Sequence, residues 1–159
     1  MSETPIKIKI SALIARLVVG GVFVYAGAVK ALAPAEEFAY AIETYKVVGP
    51  KLALLAANVM PWVEVYAGLL LAAGVFTAPL ALFNLAMLAF FELLLAQAWL
   101  RGLPITSCGC FGSGGSNSIS QEILQNLCLM CLAWVAFKFG RHWSVDQACS
   151  PAPEAGDAA

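Results

Sequence analysis

Charge is the scarcest commodity in this chain: only 12% of its 159 residues are Asp, Glu, Lys or Arg, whereas 61% are hydrophobic. A water-soluble domain carries about a quarter charged residues to cover its surface. A soluble globule is therefore excluded, and lipid is the expected solvent for one membrane domain. Nine basic and ten acidic residues leave a net charge of −1. That balance excludes nucleic acid, whose phosphates call for a clustered excess of Lys and Arg. Histidine is scarcer still, with His142 alone, which removes bis-histidine haem ligation and histidine-rich zinc or copper sites. What the chain does have is sulfur. Five cysteines stand at 108, 110, 128, 131 and 149, four of them in two close pairs, so any redox chemistry by its own side chains falls to thiols.

The apolar runs stop in places that mark four spans, at about 10–33, 52–76, 79–100 and 119–139. The expected fold is all-α, an integral membrane four-helix bundle over 10–142. Between the first two spans, Phe38, Ile42 and Tyr45 fall at helical spacing with acids on the other side. This reads as a short amphipathic helix lying in the interface. Residues 1–9 form an N-terminal segment. Residues 101–118 are Gly- and Ser-rich and too polar for lipid, hence a loop. Residues 143–159 are small and polar and read as a disordered tail. Arg16 and Lys30 lie toward opposite ends of the first span, from where long basic side chains can snorkel; for Arg16 the alternative is a partner within the bundle. The pairs Gly27 with Ala31 and Gly68 with Ala72 permit close helix approach in lipid.

Four spans place both termini on one side. Lys7, Lys9, Lys138 and Arg141 flank that side, and Lys46, Lys51 and Arg101 the other. The positive-inside rule then favours cytoplasmic termini and an outward loop, where disulfide chemistry is permitted. A competing reading takes Lys7, Lys9, the apolar stretch 17–29 and Ala31-Leu32-Ala33 as a secretory signal. Arg16 and Lys30 interrupt that core and Pro34 would follow the cut, so a retained helix is the expectation.

Cys108-Gly109-Cys110-Phe111-Gly112 sets two thiols two residues apart among glycines, so the backbone turns sharply enough to bring the sulfurs together or present both to a partner. A disulfide closing so small a ring is strained and easily reduced, suited to exchange rather than to stapling. Cys128 and Cys131, at i and i+3 in an apolar helix, share a face. One reading treats them as small hydrophobes. The other makes them a second redox pair, relaying electrons between the loop and a lipid-soluble carrier such as a quinone, with Glu92 or Glu64 handling protons. The four cysteines also approximate a zinc spacing, but two lie within an uninterrupted membrane helix, so no metal site is expected. Glu64 and Glu92 demand pairing, protonation or an inward face in hydrocarbon. Lys30 is the natural counter-ion for Glu64.

The run Arg16, Gly20, Phe23, Ala26-Gly27, Lys30, then Pro61-Trp62-Val63-Glu64, then Arg101-Gly102, then Cys108-Gly-Cys-Phe-Gly resembles the methylamine utilisation protein MauE branch of the DoxX-like membrane proteins, over about residues 16–137. The resemblance implies a four-helix bacterial inner-membrane protein. It also implies a thioredoxin-like periplasmic partner and disulfide formation in periplasmic enzymes such as methylamine dehydrogenase. In outline the bundle with loop thiols is also similar to the vitamin K epoxide reductase and DsbB class of quinone-linked thiol oxidases. Lys30, Glu64, Arg101, Cys108 and Cys110 match the family pattern; Cys128 and Cys131 lie outside it. Relatives often carry a basic residue beside an Asn or Asp near the start of the last helix, where this chain has Gln125-Asn126.

The expected function is thiol–disulfide exchange through Cys108 and Cys110, with Arg101 favouring the thiolate. The alternative is a non-catalytic membrane anchor or scaffold subunit of a periplasmic or respiratory complex.

Overall fold

The computed structural model describes residues 5–103, 119–140 and 144–148. Among them the chain is helical throughout: α1 (Ile6–Leu32), α2 (Ala35–Thr44), α3 (Pro50–Ala73), α4 (Thr77–Leu100), α5 (Ile119–Phe139) and α6 (Val145–Ala148). α1, α3, α4 and α5 are long and apolar enough to cross a membrane. The protein is a multi-pass membrane four-helix bundle, with α2 as the short helix between the first two spans.

Side-chain size is inverted relative to a soluble core. The fully enclosed positions are dominated by alanine and glycine, whereas Leu32, Tyr66, Leu93, Trp99 and Leu100 stand exposed on the outside. Lipid tails are as apolar as leucine, so burying a large side chain gains little and close backbone packing gains more. The α1–α3 seam shows this at its tightest. A Cβ added to Gly20 would sit 2.7 Å from the Gly68 carbonyl oxygen, and one added to Gly68 would sit 2.6 Å from that of Gly20. Gly27 meets the carbonyl of Pro61 in the same way, at 2.6 Å. Pro61 does not interrupt its span: α3 runs unbroken through it. The amide it lacks leaves one carbonyl to be satisfied by its surroundings.

The end of the bundle that holds the first turn of α4 is closed by a clasp that the sequence reading left in a disordered tail. α3 ends with Gly74 in the left-handed region (φ +80°), where its N–H and that of Val75 both return to Leu70, an arrangement glycine adopts without strain. A Cβ there would also strike Arg16 Nη1 at 2.7 Å. α6 then lays Asp146 across the start of α4. The Phe76 and Thr77 N–H groups donate to its two carboxylate oxygens at 2.8 and 2.7 Å, and the Asp146 N–H donates to the Gly74 carbonyl at 3.2 Å. An acid at a helix N-terminus answers both its unpaired amides and its dipole.

Three readings from sequence are decided here. Val145–Ala148 is a helix, held by the caps it supplies. Arg16 does not snorkel: it is 3% exposed and donates to the Gly140 carbonyl at 3.1 Å, capping the chain where it leaves α5. α1 also begins at Ile6 rather than at residue 10, because Lys7 and Lys9 extend the helix beyond its apolar core.

Candidate functional site

At the opposite end, α1, α3, α4 and α5 converge on a polar centre. Lys30 occupies the last turn of α1, on the same inward stripe as Phe23, Ala26 and Gly27. Glu64 lies one turn beyond Pro61 in α3. Lys30 Nζ approaches Glu64 Oε1 at 2.6 Å and Oε2 at 2.5 Å, with both side chains almost fully enclosed. The pairing expected from sequence is thus met in geometry. It is also the arrangement that burial requires, because either charge alone in this interior would be strongly unfavourable. The rings of Phe38 from α2 and Phe91 from α4 stand 5.1 and 5.8 Å from the ammonium. Their faces add cation–π attraction to the ammonium.

A cavity of about 40 Å³ adjoins the pair, lined by Lys30, Glu64 and Asn126 among apolar side chains of α1, α4 and α5. Asn126 is 8% exposed, and its side-chain Nδ2 meets no acceptor among the described residues. Sequence reasoning passed over Asn126 as a site residue. The readable signal was its i+4 relation to Glu122: both are buried, and with Leu129 and Ala133 they trace one face of α5.

Glu92, the other intramembrane acid singled out from sequence, is half-buried, with one carboxylate oxygen enclosed and unpartnered among the described residues. Lys30 pairs with Glu64 instead. Arg101 is the exposed residue that closes α4. Cys108 and Cys110 lie outside the described residues, as does Cys149. Cys128 and Cys131 are both exposed on α5 and free. They share a face, as their spacing implied, but it is the outward one, away from the Lys30–Glu64 centre.

Cys131 borders an open groove of about 730 Å³ between α4 and α5, lined otherwise by apolar residues such as Leu85, Met130 and Trp134. The groove has room for an apolar chain, and the donors its lining residues carry are the Cys131 thiol and the Trp134 indole N–H. The cavity at Lys30 has donors but room only for water-sized groups. Of these two openings among the described residues, the groove is the larger and the Lys30 cavity holds the charged groups. No group of three or more metal-ligating side chains converges among them either.

Compared with known families, residues 8–139 match the family described as Methylamine utilisation protein MauE. No curated protein and no solved structure matches the chain.

Proposed function

The chain belongs to the methylamine utilisation protein MauE family, and from that premise we propose that it exchanges thiol–disulfide equivalents, through Cys108 and Cys110, with a thioredoxin-like partner on the periplasmic side of a bacterial inner membrane. The observation that carries this reading is the placement of Cys108-Gly109-Cys110 in the segment joining the end of α4 to the start of α5. The four spans bring both ends of that segment to one end of the bundle, at the membrane border. Cytoplasmic termini put it outside, where thiols are oxidised and reduced by exchange.

The chemistry balances without a further oxidant. A loop thiolate attacks a sulfur of the partner's disulfide; one S–S bond forms, the partner's breaks, and its second sulfur leaves as a thiolate. The other loop thiolate then attacks the mixed disulfide and expels the partner. The loop is left oxidised by two electrons and the partner reduced by two. The same steps run backwards when the partner's potential is the lower. Arg101, exposed at the end of α4, contributes positive charge that favours the thiolate. Maturation of periplasmic enzymes such as methylamine dehydrogenase is the role to which this exchange contributes.

Trapping the redox state of the loop thiols in the full-length chain, with and without a reduced or oxidised thioredoxin-like protein, tests the proposal. The loop pair is expected to follow the partner's state, and Cys108→Ser with Cys110→Ser to reduce exchange to background while membrane insertion is retained. Normal exchange by that double variant overturns the reading. Loop thiols fixed in one state under every condition turn it toward the scaffold alternative.

A further inference from the structure

We propose that the cavity beside the Lys30–Glu64 pair is a binding site for internal water, and that this water joins α5 to the ion pair through Asn126. The proposal does not depend on the thiol reading. It rests on three features of the same few ångströms.

The first is what the free groups ask for. Both contacts of Lys30 Nζ run to the carboxylate of Glu64, but an ammonium carries three protons, so one donor is left over. Asn126 Nδ2 is a second donor with no acceptor among the described residues. Both residues line the cavity, and the ligand they call for is therefore an acceptor. The second feature is charge. Lys30 and Glu64 cancel, so the cavity does not attract an anion, and a neutral acceptor is left. The third is size. About 40 Å³ holds one to about three waters, since roughly 10–15 Å³ by the same measure admits one. A molecule the size of a quinone head is too large. Water accepts from the two donors and offers its own protons to the carboxylate of Glu64, reaching the two or more polar partners that a buried water needs.

Asn84 provides the internal control. It is fully enclosed on α4, with neither amide atom partnered among the described residues, yet it is not among the residues that line this cavity. The two buried asparagines differ in whether a polar space adjoins them.

The experiment uses the full chain in nanodiscs with ¹⁵N labelling of the side-chain amides and reads magnetisation transfer from water. Transfer to the Asn126 amide is expected at several times the level seen at Asn84. Equal or absent transfer at a visible Asn126 amide overturns the proposal. Thermal unfolding supplies a second, signed readout. If water bridges Asn126 to Lys30, Asn126→Leu strands the Lys30 donor and the midpoint falls by several degrees; a midpoint that rises shows a dry cavity. Stability that depends on chloride at constant ionic strength, with gluconate as the replacement, overturns the assignment by making the acceptor an anion.

Discussion

The two sides of the bundle solve the same problem differently. Along α1 and α3, backbones touch through Gly20, Gly27 and Gly68, and the charges inside them, Lys30 and Glu64, satisfy each other. Along α4 and α5 the inward face carries Asn84, Gln97 and Asn126, each with side-chain amide atoms buried and unpartnered among the described residues, and an apolar groove opens between the helices toward lipid. The first side is closely packed, and its two charges are paired with each other. The second holds polar groups whose partners come from elsewhere, and its helices bracket the segment that contains Cys108 and Cys110.

The sharpest way to break this contrast is to unbalance the closed side. Lys30→Met leaves Glu64 buried without its counter-ion, and a loss of about 3–5 kcal/mol is expected from removing one partner of a buried pair. Lys30→Met with Glu64→Met is expected to recover most of that loss, because no charge is then stranded. The measurement is reversible unfolding in mixed micelles for both single variants and the double. Losses that simply add in the double variant would mean that the two groups do not act as a pair.

A smaller effect comes from the glycines. Gly68→Ala forces a methyl against the Gly20 carbonyl, and the seam must open to admit it, at about 1–3 kcal/mol. Gly21 lies one residue along from Gly20, exposed, with nothing near an added Cβ. Gly21→Ala is expected to be neutral or to stabilise by up to about 1 kcal/mol through helix propensity. Should the two substitutions match in thermal unfolding, close approach is not what holds α1 to α3.

How much of this was readable beforehand follows the same division. The α1–α3 side was legible because its signals are few in hydrocarbon: a buried Glu64 calls for pairing, protonation or an inward face, Lys30 offers the counter-ion, and glycine at helical spacing implies close approach. The α4–α5 side was not. α5 is apolar almost all the way round, so periodicity does not reveal which way Cys128 and Cys131 point; its inward face is marked by Glu122, Asn126 and small residues rather than by large apolar ones. An amide lacks charge and so names no complement, which is why Asn84, Gln97 and Asn126 went unread. Arg16 and Asp146 escaped for another reason. Both cap backbone ends, at Gly140 and at the start of α4, and such partners are set by the fold and leave no pattern in the side-chain sequence.

The least of the expected effects has the opposite sign and tests the open side directly. Asn84 has 0% exposure and no hydrogen bond to either amide atom among the described residues. An enclosed amide that makes no bond carries a desolvation cost of about 1–3 kcal/mol with nothing to offset it. Asn84→Leu nearly conserves shape and removes that cost. Some of the gain goes to accommodating the larger leucine against its neighbours on α4 and α5. The net expectation is unchanged stability or a gain of up to about 1 kcal/mol. A clear loss in the same unfolding assay would show that Asn84 has a partner in the membrane, in which case Asn84 shares with Asn126 the bonding proposed for the working protein.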